Sequence, residues 1–301
     1  MNISKIICNQ IVFSKGNLQA TTTDLGTNWT WSFATNQWDY NGNKAANNAI
    51  SDNGKVSSNG TVDMFGWSTA ATYYGINNRD DYNAYSGNFV EWGENAITNG
   101  GNTANMWHTL KTEEWGYLFC DRTDAAKLFS LGKVNGVNGT ILLPDNWTGE
   151  KFDNTADGLI EQGSRYYNSH GTNFTLHTYE GDAWEAMEKA GAVFLPAAGY
   201  RGGTDVYHVG SYGRYWSASP GGAREACGFF FNSDYLTPRY GSHRQYGLYV
   251  RLVLAAPSTA TGIESIQHPV AISQKLIRDG KLLILRDGKT YTSTGQELIV
   301  P

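Results

Sequence analysis

The sequence predicts a loop-rich α+β fold with few helices, on three observations. Glycine makes up 35 of 301 residues, aromatic side chains 13 %, and charged residues only 17 % against a usual ~25 %. Gly, Asn, Tyr and Trp in this abundance disfavour a mainly helical chain. The aromatic side chains bury enough area to offset chain entropy, which excludes disorder. The length allows one large domain with a small appendage, or two domains.

Residues 1–10 read as an N-terminal segment and 11–255 as the main domain. Within 11–101, aromatics alternate with polar clusters, and Trp29, Trp31 and Phe33 fall at the strand period. The small polar runs 43–60 and 77–81 read as surface loops. Thr112 offers a cap for a first helix, Glu113 and Glu114 complement its dipole, and Trp115, Leu118 and Phe119 make one apolar face. A hairpin follows, its runs 127–134 and 137–144 joined by Asn135-Gly136. A second helix starts at the cap Asp182, with Glu185 completing a capping box, Ala183, Met187 and Ala190 on one face, and Gly191 as the stop. Residues 192–195 then read as a buried strand. In 247–253, Leu248, Val250 and Leu252 share one strand face while Tyr249 and Arg251 share the other. A linker at 256–262 leads to 263–301, where Asp279-Gly280 and Asp287-Gly288 bracket an apolar run and predict a short C-terminal β-hairpin tail.

A net charge of −5 offers no footprint for nucleic-acid phosphates, so no nucleic-acid partner is expected. Apolar stretches such as 252–256 are far shorter than the roughly 20 residues of a membrane span, and no span is expected. The opening residues, interrupted by Lys5, show no signal-peptide core. Cys8, Cys120 and Cys227 form no C-x-x-C pair, and the six histidines show no metal-ligand spacing, so neither metal nor cofactor is expected. No phosphate loop or nucleophile elbow occurs. Cys227 is the one candidate nucleophile, but alternation groups it with Phe229 and Phe231 as a small buried hydrophobe. The chain therefore reads as no enzyme.

A binding surface fits better. The loops within 210–253 combine Tyr235, Tyr240 and Tyr246 with Arg214, Arg224, Arg239, Arg244, Asn232, Asp234, Ser242 and His243. Rigid aromatics with adaptable polar groups are the composition of a paratope. Five arginines against Glu225 and Asp234 give this segment +3 on a chain of −5, a locally basic patch suited to an anionic or polar ligand. An ordinary solvated loop cluster is the competing reading.

The runs Trp107–Leu118, Ile141–Asp145, Phe194–Gly199, Gly213–Ser217 and Tyr249–Val253, taken in this order with the openings 12–19 and 36–40, resemble C-type-lectin-like proteins of Bacteroidales. Those proteins are related to the Fibrobacter major paralogous domain and to the variable proteins of diversity-generating retroelements. The resemblance covers about residues 11–255. It implies two helices flanking small twisted antiparallel sheets, with ligand contacts on an exposed face near the end of the domain. Carried onto this chain, the framework is Gly213, Tyr215, Trp216, Phe229, Phe231, Leu248, Val250 and Leu252. The implied ligand-binding positions are Arg214, Arg224, Asn232, Asp234, Tyr235, Arg239, Tyr240, Ser242, His243 and Tyr246. The motifs of calcium-dependent sugar binding are missing; Leu143-Pro144-Asp145 is the nearest approach. Formylglycine-generating enzymes share the broader fold, but their paired cysteines have no counterpart beside Cys227.

The expectation is a noncatalytic recognition protein, a candidate for retroelement diversification, whose 210–253 loops bind a protein or glycan ligand on a cell or phage/host surface. A structural or adhesin subunit of a surface assembly is the alternative, and a formylglycine-generating-type enzyme using Cys227 a weaker one. The 263–301 tail resembles C-terminal sorting or anchoring modules of secreted Bacteroidetes proteins, which implies an extracellular or cell-surface location. Charge reversal of Arg224, Arg239 and Arg244 together is expected to abolish binding without loss of thermal stability.

Overall fold

The structure, a computed structural model, describes residues 11–42, 47, 55–70, 74–76, 82–168, 171 and 173–254, with the backbone of four strands between 273 and 298. Segment 1–10, most of 43–54, 77–81 and the linker 256–262 lie outside the described residues. The chain divides into two compact units, Met1–Ala256 and Pro257–Pro301. The architecture is α+β, with several small sheets and two described α-helices.

In the first unit, β1 (Leu18–Thr22), β2 (Thr30–Phe33) and β3 (Gly60–Val62) form an antiparallel sheet in the order β2-β1-β3. Trp31 and Phe33 point inward from β2, as their alternation predicts. After β4 (Trp107–Thr109), α1 spans Thr112–Gly116 and continues through a π-turn, Tyr117–Asp121. Its cap is Lys111, not the predicted Thr112. The Glu114 carboxylate accepts the Lys111 N–H at 2.7 Å, while the Thr112 hydroxyl is drawn inward to Ser217 Oγ at 3.1 Å. The predicted apolar face holds: Trp115 and Phe119 stack on Phe229 with ring centroids 5.2 and 4.4 Å away.

Strands β5 (Phe129–Val134) and β6 (Val137–Leu142) make the predicted hairpin. Asn135 and Gly136, at φ 47° and 80°, supply the left-handed pair that a two-residue I′ turn requires. Then come β7 (Leu159–Gln162), β8 (Arg165–Asn168) and β9 (Thr178–Tyr179). The second helix, α2, spans Gly181–Lys189 with Glu180 as its cap residue and no side-chain cap, so the predicted Asp182 capping box does not form. Nor does it bury Ala183 and Ala190, which are exposed. It buries Trp184, whose indole meets Phe194 edge-on at 5.9 Å. One large aromatic removes more apolar area from water than small residues spread along another face.

The remaining strands are β10 (Val193–Pro196), β11 (Tyr200–Gly202), β12 (Asp205–Tyr207), β13 (Gly213–Pro220), β14 (Glu225–Phe231), β15 (Tyr235–His243) and β16 (Leu252–Leu254). They assemble as β10-β6-β5-β9, β11-β12, β16-β4 and a five-stranded antiparallel sheet, β13-β14-β15-β8-β7. Residues 12–14 pair with 252–254: Ser14 N donates to Leu252 O at 2.8 Å and Leu254 N to Val12 O at 2.9 Å.

The alternation of residues 248–253 sends their side chains into two cores, and only Leu252–Leu254 is strand. Leu248, Val250 and Leu252 join one core with Trp67 and Trp216, while Tyr249 and Val253 join another with Trp115, Tyr215 and Phe229. Arg251 is 1 % exposed and donates to Gln37 Oε1 at 2.7 Å and Phe194 O at 3.1 Å. The segment is a spine between two cores, and hydrogen bonds offset the burial of its cation.

The second unit is a four-stranded sheet of β17 (Ser273–Arg278), β18 (Lys281–Arg286), β19 (Lys289–Thr292) and β20 (Glu297–Leu298), paired in that order. The predicted hairpin is β17–β18, and two further strands extend it. The Asp-Gly turns lie outside the described residues.

Candidate ligand-binding face

Strand periodicity divides the side chains of the five-stranded sheet. Tyr166, Tyr215, Phe229, Phe231 and Leu236 point into the core. The opposite parity places Tyr167, Arg214, Phe230, Tyr235 and Tyr240 together on the other face: Tyr167 pairs with Tyr235, Arg214 with Phe230, and Tyr240 with Gly228. A bulge between Gly228 and Phe230 restores this parity across β14–β15. At one end the same face is covered, because Trp216 and Ala226 belong to a core. Its other end is open.

There Phe230 stacks on Tyr240 at 4.7 Å and packs against Tyr235 at 5.0 Å; Tyr235 stacks on Tyr167 at 5.9 Å. Tyr200 of β11 adds Tyr207 at 5.6 Å and Tyr246 at 5.5 Å, and Tyr246 reaches His243 at 5.5 Å. His208 stacks on Tyr212 at 4.0 Å. Ile160, paired with Tyr167 across β7–β8, is 57 % exposed and extends the stripe to the sheet edge.

Arg214 sits among these rings. Its guanidinium carbon lies 4.0 Å from the Tyr200 centroid, 5.1 Å from Phe230, 5.3 Å from Tyr240 and 5.8 Å from Tyr212. The residue is 8 % exposed, its Nε is buried without a partner, and among the described residues its guanidinium makes no hydrogen bond or ion pair. Ring faces return about 0.5–2 kcal/mol each to a desolvated cation, but they fill none of its five N–H donors. Arg165 lies close by, its charged form favoured by the Tyr167 phenol. Burial pushes the Tyr235 phenol above its usual range, and Arg165 and Arg214 hold it down.

The structure thus brings Arg214, Tyr235, Tyr240, His243 and Tyr246 together and separates the other sequence candidates. Arg224 and Asp234 are exposed on turns at opposite ends of β14. Asn232 is buried, and its Oδ1 accepts the Asp234 and Tyr235 N–H groups at 2.8 Å each, so it builds the β14–β15 turn. Ser242, expected on an exposed loop, is 4 % exposed. Arg239 lies over Gly116 of α1, on the core side of the sheet away from the rings. Arg244 is 6 % exposed. It donates to the carbonyls of Glu225, Tyr85, Gly87 and Gly222 at 2.9–3.3 Å and covers Trp67 at 4.3 Å. It staples loops together, which overturns the expectation that its charge reversal leaves stability intact. With Arg244 and Arg251 inside, the +3 of 210–253 is not all surface charge.

Sequence reasoning missed Arg165, Tyr167, Tyr200, Tyr207, His208, Tyr212 and Phe230. The period-2 run at 165–168 marks Tyr167 as facing opposite Tyr166, but nothing local to it announces its partner Tyr235. Phe230 was legible, because it must point away from Phe229 and Phe231.

The other groups that the sequence or burial singles out for chemistry are Cys227, Cys120 and Asp145. Cys227 shares the Phe229 side of β14 but is half-buried instead of buried, since it lies beyond the core's edge. Burial pushes the Cys120 thiol up to about 11. Asp145, nearest to a sugar-binding motif, holds Arg122 at 2.9 Å. Among the described residues no three His, Cys, Asp or Glu side chains gather in a metal-ligating group, and no helix is long and apolar enough to cross a membrane. A cleft of about 950 Å³ lined by Lys15, Gln37, Trp38, Arg122, Asp145 and Glu188 lies elsewhere in the unit.

An α+β protein with an aromatic face built around a caged arginine is the class these observations define. Residues 163–253 match the family described as a domain of unknown function (DUF8237), a stretch that holds every strand of the face except β7. No curated protein and no solved structure matches the chain.

Proposed function

We propose that this chain is a noncatalytic recognition protein, C-type-lectin-like in fold, that binds a glycan or protein ligand through the open face of the β13-β14-β15-β8-β7 sheet. The observation that carries the reading is the asymmetry of that sheet. One side is locked by Tyr215, Phe229 and Phe231, each at most 1 % exposed, while the other shows Tyr167, Tyr235, Tyr240 and Tyr246 partly to solvent. Tyrosines with two side-chain torsions, held on a rigid support, lose little entropy on binding. The resemblance to diversified surface proteins supports the same reading, with 263–301 as a sorting or anchoring module and an extracellular setting.

The test is binding to immobilised glycan and extracellular-protein arrays, comparing the wild-type chain with a Tyr235→Ala/Tyr240→Ala variant. Hot-spot tyrosines cost about 1–2 kcal/mol each, so the double variant is expected to lose at least about tenfold in affinity with its thermal midpoint little changed. Undiminished binding by that variant overturns the proposal.

A further inference from the structure

We infer that Arg214 is the ionic anchor for a carboxylate-bearing oligosaccharide lying along the aromatic stripe. The inference rests on the proposed recognition face and names the ligand class that this face takes. Arg214 is a cation, nine-tenths buried, whose donors find no acceptor among the described residues, whereas the other two buried arginines of the same segment donate to carbonyl oxygens. Four ring centroids within 5.8 Å hold its plane, so the guanidinium is pre-set for a planar, bidentate acceptor. The groups that act on the neighbouring Tyr235 phenol are the phenols of Tyr240 and Tyr212 and the cations Arg165 and Arg214, with no carboxylate among them. One caged guanidinium amid neutral phenols suits a singly charged carboxylate better than a doubly charged phosphate.

The geometry favours a saccharide over an acidic peptide. Along the face the sheet's own backbone groups are used in strand pairing, so a peptide laid there would leave its amides unpaired against aromatic rings. A sugar ring offers a C–H face to stack and keeps its hydroxyls at the rim, within reach of phenols and water. The stripe runs from Ile160 on β7 through Tyr167 and Tyr235 to Arg214 on β13, passing over Phe230, which is 2 % exposed and packed against Tyr235 and Tyr240. Crossing four strand spacings of ~4.8 Å makes it roughly 19 Å long, room for several sugar rings with the acid group at the Arg214 end.

The decisive experiment changes the ligand and leaves the protein intact. Titration of the full chain with short oligosaccharides of galacturonate, mannuronate, glucuronate and sialate, each paired with its methyl ester, is read by calorimetry at low and moderate salt. At least one free acid is expected to bind tenfold or more tightly than its ester, with affinity falling as salt rises. Arg214→Lys is expected to remove most of that discrimination while keeping the weaker stacking affinity. Equal binding of acid and ester overturns the anchor and leaves the recognition face standing. Binding of oligoglutamate or a sulfated glycan in place of every uronate and sialate overturns the ligand class. Failure of the whole panel alongside Tyr235- and Tyr240-dependent array hits overturns this inference alone; loss of that dependence overturns the face itself.

Discussion

Replacing Arg244 by alanine separates a contact residue from a structural one. The guanidinium donates to four backbone carbonyls from two separate stretches of chain, at 3.1 Å to Glu225, 3.3 Å to Tyr85, 3.1 Å to Gly87 and 2.9 Å to Gly222, and covers the Trp67 ring at 4.3 Å. A single hydrogen bond to a charged group contributes about 1.5–3 kcal/mol, and such contributions on one side chain are not additive. Loss of the whole cluster, with acceptors left in a largely buried site, costs about 3–5 kcal/mol. At 2–4 °C per kcal/mol for a domain of this size, the midpoint falls by roughly 10 °C. Differential scanning calorimetry is the assay, with the exposed Glu185→Ala as the control, expected within about 0.5 kcal/mol of wild type. Arg244→Lys keeps the charge but loses the fork and falls between them. An Arg244→Ala protein melting within about 2 °C of wild type would refute the staple and return Arg244 to the candidate contact residues.

Further outcomes follow from other buried groups. Tyr215 and Tyr249, both 0 % exposed, have phenols pushed up by burial, so they stay protonated in the folded chain while their unfolded counterparts ionise near pH 10; their stabilisation is present below pH 10 and lost above it. Arg251, lowered to about 10 by burial, works the other way, because losing its proton above pH 10 relieves a desolvated charge. The buried phenols, Tyr166 among them, are expected to outweigh Arg251 above pH 10, measurable as falling thermal midpoints with a delayed phenolate absorbance; midpoints flat to pH 11.5 would contradict it. Gly228→Ala places a Cβ 2.3 Å from the Tyr215 carbonyl oxygen and is expected to cost about 1–3 kcal/mol. Gly136→Ala meets nothing within 4 Å but must keep φ near 80°, for about 1–2 kcal/mol; chemical denaturation ranks the two. Cys120, with its thiol near 11, is expected to alkylate far more slowly at pH 8 than a free thiol when Cys8 and Cys227 are replaced by serine. If a template copy accompanies the gene, its adenine differences are expected in the Tyr235, Tyr240 and Tyr246 codons and to spare Asn232 and Ser242; the flanking DNA sequence decides.

What the chain determined by itself was local. The Asn135-Gly136 hairpin, the Trp115/Leu118/Phe119 helix face, the stop at Gly191 and the alternation of Phe229 and Phe231 each depend on turn chemistry or periodicity within a few residues. Even there, capping shifted by one or two residues wherever a hydroxyl or a large ring had a better tertiary partner, as at Thr112 and Trp184. Only the folded chain decided which polar residues face water. Alternation assigns a side chain to one side of a strand, but what covers that side comes from elements far away in sequence. Tyr85 and Gly87 turn Arg244 into a staple, and Gln37 takes Arg251 inside. Tyr167 and Tyr200 complete a face around Arg214 that a window of 210–253 could show only in part. Local periodicity sets direction; burial is a sum over neighbours that only tertiary contact supplies.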